Sequence, residues 1–203
     1  MDTKIYDAIV IVTPADFKRV ECNNQRIVEY LPVRKVLFVG SEELKELVRQ
    51  SNLGDKAGFV NENDIIPFED VYNCMKDVIA DILLGRELPR GLVGWYYQQF
   101  LKMKYSVLCD DEYYMSWDGD TVPCKDFSMF DSEGRPYFDM KYEYHEEYFI
   151  TMETILPSVK KIVDKSFISE HMIFNRNYMN ELISEIESNE NIKGTTFWEK
   201  ILN

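Results

Sequence analysis

The sequence predicts an α/β domain with a mostly parallel sheet, helices on its faces and an added antiparallel hairpin. Three observations predict it. Short apolar, β-branched runs end in turn residues, helical periods follow them, and the two patterns alternate through the first half of the chain. At 203 residues the simplest organisation is one domain spanning 1–203, with no internal repeat, low-complexity tract or linker.

The elements follow in order. "YDAIVIVTP" (Tyr6 to Pro14) is a β-branched run stopped by Thr-Pro and reads as a buried strand. "VRKVLFVG" (Val33 to Gly40) repeats that pattern, and Ser41 after it can cap a helix carrying Leu44, Leu47 and Val48 on one face. "AGFVNENDIIP" gives a third strand and a loop. Val71, Cys74, Met75, Val78, Ile79, Ile82 and Leu83 then share a helical face, and a second helix starts after "LPRG" and runs through "WYYQQFLKMKYSVL". "EYYMSW" is a strand leading into Asp118. "FSMFDSEGRPYFDM" reads as a hairpin turning at Ser132-Glu133-Gly134. "FISEHMIF" is another strand, and "NYMNELISEIES" a helix with Met179, Leu182, Ile183 and Ile186 on one side.

Composition narrows the function. The apolar fraction of 45% and aromatic fraction of 14% fit a packed core. A formal charge of -13 argues against nucleic acid as a partner, because neutralising phosphates needs a basic face. Cys22, Cys74, Cys109 and Cys124 are scattered without a CxxC, which favours reduced thiols in a cytoplasmic protein. The start does not read as a signal peptide, and no window comes near the roughly 18 apolar residues of a membrane span.

Three strand ends carry the informative residues, as expected where ligands bind an α/β sheet: Thr13-Pro14, Gly40-Ser41 and Asp118-Gly119-Asp120. The last raises an electrostatic question. Two carboxylates about 5 Å apart repel by roughly 3 kcal/mol at an effective dielectric near 20, so the pair lies in water or holds a cation. A solvated acidic turn is the plain reading. An EF-hand fails, because the positions needing Gly and Glu hold Pro123 and Met129. A haloacid-dehalogenase-type phosphatase fits "MSWDGDTV" locally but lacks the later acidic pair. The fourth reading is the Asp-x-Asp of a GT-A glycosyltransferase, whose carboxylates hold Mn²⁺ or Mg²⁺ against the diphosphate of a nucleotide sugar. An acidic protein needs such a Lewis acid to stabilise a departing diphosphate.

Four blocks in series make the resemblance specific: "GWYYQQFLK", "DGDT", "HEEYF" and the strand containing His171-Met172. From Tyr6 to its end the chain resembles bacterial glycosyltransferases of surface-polysaccharide clusters, a group often carried only as a domain of unknown function. Trp117 and Gly119 depart from the aliphatic residue and the Ser common there, and the similar proteins continue past the final "FWEKILN".

The resemblance implies a GT-A-like, Rossmann-like fold and roles for particular residues. Thr13, Pro14 and Asp16 stand where such enzymes hold base and ribose, although they also suit an ordinary turn. Trp95, Gln98, Gln99 and Lys102 lie along one helix, with Lys102 expected near the diphosphate; the alternative is a polar helix face in solvent. Asp118, Gly119 and Asp120 would meet the donor, with Asp118, Asp120 and a late histidine, His171, holding the metal; His171 reads equally as a satisfied core residue. Alternation places Glu170 and His171 on opposite sheet faces. Glu146 and His145 would serve acceptor and catalysis, or simply begin a helix. The implied partners are a nucleotide-diphosphate sugar, UDP-sugar first, and a glycan or lipid-linked glycan acceptor. The implied location is the cytoplasm, peripheral at the inner membrane. A magnesium-dependent phosphatase and a non-catalytic nucleotide-sugar-binding relic are the alternatives. A sugar nucleotidyltransferase is disfavoured, since "IVTPADFKRV" lacks a Gly-rich loop.

Overall fold

The computed structural model describes residues 4–203. In chain order it contains β1 (Asp7–Ile11), α1 (Pro14–Arg19), α2 (Glu21–Tyr30), β2 (Val36–Gly40), α3 (Glu42–Gln50) and β3 (Ala57–Asn61). Then come α4 (Glu62–Ile65), α5 (Phe68–Val78), α6 (Ala80–Leu83), α7 (Arg90–Lys104), β4 (Tyr113–Trp117), α8 (Glu146–Ile155), β5 (His171–Asn175), α9 (Arg176–Ser188) and α10 (Phe197–Leu202). The strands form one sheet in the order β3-β2-β1-β4-β5. The first four run parallel and β5 is antiparallel to β4. This is a Rossmann-like α/β arrangement.

The apolar strands are apolar throughout because both sheet faces are covered. Ile9, Val39 and Tyr114 enter one core with Val71 of α5, Leu101 of α7 and Ile183 of α9. Ala8, Val10, Phe38 and Met115 enter the other, with Phe17 of α1, Ile27 of α2 and Leu44 of α3. Each fully buried Ile, Leu or Phe contributes about 1.5–3 kcal/mol relative to exposure. Gly40 ends β2 at a crowded point: a Cβ there would lie 2.6 Å from the Val12 carbonyl oxygen.

Strand order also places the ligand crevice. The chain builds β2 and β3 outward on one side of β1, then returns to lay β4 on the other side. The carboxyl ends of β1 and β4 therefore diverge at a topological switch point, where open α/β sheets bind ligands.

Three expectations are corrected. The helical face from Val71 to Leu83 is not continuous: Ile79 leaves helical geometry (ψ 16°), and Ile82 on α6 is 76% exposed. The expected hairpin keeps its turn, with Gly134 at φ 77° and its N–H donating to the Asp131 carbonyl. Only Phe130 and Pro136 pair across it, however: Asp131 N–H donates to the Arg135 carbonyl at 3.0 Å and Tyr137 N–H to the Met129 carbonyl at 2.9 Å, and the ladder goes no further. Ser41 stands at the N-cap of α3 without a side-chain capping bond. Among the described residues no helix is long and apolar enough to cross a membrane.

Candidate active site

The acidic turn is built by β4 and the strand beside it. The Asp118 N–H donates to the Glu170 carbonyl at 2.9 Å, extending the sheet by one rung. Thr121 N–H then closes a turn on the Asp118 carbonyl at 3.0 Å, and the Trp117 indole donates to Thr121 O at 2.8 Å. Gly119 is sterically required at its centre. A Cβ there would lie 2.6 Å from Val12 Cγ1, so the turn packs directly on the end of β1.

The electrostatic question has a local answer. Lys102 Nζ donates to Asp118 Oδ1 at 2.8 Å, with the two side chains 14% and 29% exposed. Lys102 is itself held in place, because the Tyr114 hydroxyl on β4 donates to its carbonyl at 2.7 Å. Asp118 is thus neutralised from α7, while Asp120 remains exposed to water.

This turn opens into a cleft of about 650 Å³ at the switch point, within the usual size range of ligand pockets. One wall is the end of β1 and the start of α1. Thr13 caps α1, accepting from Asp16 N at 3.1 Å and donating to Asp16 Oδ2 at 2.7 Å, with Pro14 as the first helical residue. Arg19, one turn on, pairs with Asp16 at 2.8 Å. The opposite wall is the first half of α7, where Gly91 and Gly94 leave the helix surface bare beside Trp95 and Gln98. Arg90 lies over the Phe68 ring, its Cζ 4.4 Å from the centroid. Glu62 follows β3 at the floor. Burial raises its proton affinity, with the Arg90 charge opposing. Burial likewise raises the pKa of Tyr97, whose hydroxyl donates to the Ile66 carbonyl at 2.5 Å.

The structure gathers most of the sequence-derived residues into this cleft. Thr13, Pro14 and Asp16 line it from β1, Trp95 and Gln98 from α7, and Asp118, Gly119 and Asp120 from β4. Gln99 is one position further round α7 and does not line it. Lys102 does not line it either; its ammonium is taken up by Asp118.

His171 is elsewhere. It stands opposite Trp117 in the β4–β5 register, their ring centroids 4.8 Å apart, and its Nε2 is 3.5 Å from Asp139 Oδ2. Trp117 belongs to the core under α1 to α3, whereas Asp118 reaches α7 on the other face, so strand alternation separates His171 from Asp118. His145 begins α8, with Nε2 2.7 Å from Glu143 Oε1, and Glu146 is exposed in its first turn. Neither lines the cleft.

Sequence reasoning missed Arg19, Arg90 and Glu62. Glu62 follows the carboxyl end of β3, so the strand-end rule that selected Thr13 and Asp118 could have found it. The two arginines carry no such signal, since helix start and charge do not say which side a cation faces.

Among the described residues no three His, Cys, Asp or Glu side chains gather as a preformed metal site. The donor chemistry still fits a hard cation. Mg²⁺ is commonly held by one or two carboxylates, with substrate phosphates and water completing the shell. Asp118 and Asp120 provide that pair.

Fold and cleft together define a Rossmann-like α/β domain with a carboxylate turn at the topological switch point of its sheet. The chain belongs to DUF6492, a family of unknown function whose profile spans residues 7–203. No curated protein matches it.

Proposed function

We propose that this protein is a GT-A-like glycosyltransferase. It moves a sugar from a nucleotide-diphosphate sugar, UDP-sugar first among donors, to a glycan or lipid-linked glycan acceptor in surface-polysaccharide synthesis. The observation that carries this reading is the Asp118-Gly119-Asp120 turn opening into the switch-point cleft. The same reading puts the enzyme in the cytoplasm, peripheral to the inner membrane.

The residues divide the work by position. Thr13, Pro14 and Asp16 meet base and ribose beyond β1. Trp95 offers a flat, half-exposed face for a ring to pack on, and Gln98 a pair of hydrogen-bonding atoms. Arg90, steadied by the Phe68 ring, brings fixed positive charge to the phosphates, while Arg19 is paired with Asp16. Asp118 and Asp120 would hold Mn²⁺ or Mg²⁺, which supplies Lewis-acid stabilisation to the departing nucleoside diphosphate. Lys102 fixes the Asp118 carboxylate. In an inverting transfer the acceptor proton would go to Glu62, the cleft carboxylate whose proton affinity burial raises toward the range a general base needs. Glu146, exposed outside the cleft, is not assigned that role.

A thermal-shift panel of nucleoside diphosphates and their sugars, with and without Mn²⁺, tests the reading. A ligand at 100 times its Kd adds about 2.7 kcal/mol of stability. Asp120→Asn should abolish the Mn²⁺-dependent part while the protein stays folded. Equal nucleotide binding by parent and variant in Mn²⁺ would return the turn to plain solvated structure. Phosphate release from simple phosphoesters would favour the phosphatase, and metal-dependent binding without transfer the relic.

A further inference from the structure

A second cavity, of about 430 Å³, lies between α8 and the segment before β5, and shares no lining residue with the cleft. Its walls are apolar: Tyr148, Phe149 and Met152 from α8 face Ile162, Val163 and Phe167. Several of these side chains are unusually open to water for their type, Ile162 at 93% and Tyr148 at 51%, and neighbouring Tyr142 reaches 86%. Contiguous exposed apolar surface of this kind marks a binding site. The charge around it runs against the rest of the molecule. In a chain of net charge -13, the cavity is lined by Lys160, Lys161 and Lys165 and by one carboxylate, Glu143, while Asp164, outside the lining, lies 4.0 Å from Lys165 Nζ. Glu143 is occupied by His145 at 2.7 Å. Two of the lysines are held against aromatic rings, Lys161 5.0 Å from the Phe149 centroid and Lys165 3.8 Å from that of Tyr142.

An apolar cavity with ammonium groups at its wall matches one ligand chemistry: a hydrocarbon chain ending in an anionic head. We propose that this cavity binds a single-chain anionic amphiphile. The chain lies among Phe149, Met152, Ile162 and Phe167, and the phosphate or carboxylate head meets Lys160, Lys161 and Lys165. The site goes beyond the cleft reading and does not rest on it.

Calorimetric titration with octyl, decyl and dodecyl phosphate, each below its micelle concentration, tests both halves of the proposal. Burial of the chain gives about a fourfold gain in affinity per methylene, from roughly 0.8 kcal/mol each. Inorganic phosphate should not bind measurably, and decyl maltoside should bind at least about tenfold more weakly than decyl phosphate. Added salt narrows that gap, as does the Lys160→Gln/Lys161→Gln/Lys165→Gln variant. Ile162→Ser replaces a solvent-facing side chain, so it leaves folding intact while lowering affinity for dodecyl phosphate. An affinity independent of chain length would overturn the apolar half. Equal binding of phosphate and maltoside heads would overturn the charged half, and no binding of any amphiphile would overturn both.

Discussion

Replacing Lys102 by Met keeps most of the side-chain volume and removes the charge that holds Asp118. At 2.8 Å and an effective dielectric near 20, the gross attraction is about 6 kcal/mol. Most of that is offset by desolvation. Exposed ion pairs are worth under about 1 kcal/mol, and breaking a fully buried one costs about 3–5 kcal/mol. With side chains 14% and 29% exposed, this pair falls between, and Lys102→Met should cost about 2 kcal/mol. For a domain of this size that lowers Tm by roughly 4–8 °C. The assay is urea denaturation at neutral pH on the parent, Lys102→Met, Asp118→Asn and the double variant. In the Asp118→Asn background the lysine substitution should lose most of its cost, leaving a coupling energy above about 1 kcal/mol. Equal cost in both backgrounds, or a cost below about 0.5 kcal/mol, would show that Asp118 does not depend on α7 for its charge balance.

Three further outcomes follow from the same geometry. Gly119→Ala places a Cβ 2.6 Å from Val12 Cγ1 and should destabilise by about 1–3 kcal/mol, read as a lower urea midpoint with unchanged m; a neutral result would mean the turn is not seated on β1. Glu199 closes a capping box on α10, and backbone N–H groups of Thr196 and Thr195 hold its pKa down at about 2. A depressed carboxylate contributes stability above its unfolded pKa, so Glu199→Gln should cost about 1 kcal/mol at pH 7, with the difference fading as pH falls from about 4.5 toward 2. Glu62 has the opposite sign, since a raised carboxylate pKa makes the parent lose stability as pH climbs above the ordinary carboxylate range. Glu62→Gln should therefore melt higher than the parent at neutral pH and equally at low pH, while sugar transfer falls; a lower melting point at pH 7 would mean that Glu62 is structurally paired.

The strands were legible because their burial on both faces leaves a local mark. β1 and β2 read as unbroken apolar runs, and each is stopped by residues that cannot continue a strand comfortably, Thr13-Pro14 and Gly40-Ser41. Strand ends in turn selected Thr13, Pro14, Asp118 and Asp120, all of which line the cleft. What failed was orientation. Gln98 and Gln99 differ by about 100° around a helix, and only the packing of α7 on the sheet decides between them. The parity of Glu170 and His171 could be counted along one strand, but the parity of His171 with Asp118 depends on the β4–β5 register, a pairing between residues far apart in sequence. The segment from Asp118 to His145 has too little regular structure to carry direction, so the His145-Glu146 block that read as serving the acceptor starts a helix whose Tyr148 and Phe149 line a separate cavity.

The charge of the cleft gives the aspartate pair a sharper meaning than its motif does. Four carboxylates line the cleft (Asp16, Glu62, Asp118 and Asp120) against two arginines, Arg19 and Arg90. Arg19 is committed to Asp16 and Lys102 to Asp118, which leaves Asp120 and Glu62 facing Arg90. A nucleoside diphosphate entering alone would bring its negative charge to a site already slightly negative. A divalent cation on Asp118 and Asp120 reverses that balance, and its remaining positions suit phosphate oxygens. The proposed enzyme should therefore bind donor and metal together, each weakly without the other. That is reciprocal coupling: Mn²⁺ tightens the diphosphate by the same factor as the diphosphate tightens Mn²⁺. Strong diphosphate binding in the presence of a chelator would break this account, because the two arginines would then suffice and the acidic turn would have no part in holding the donor.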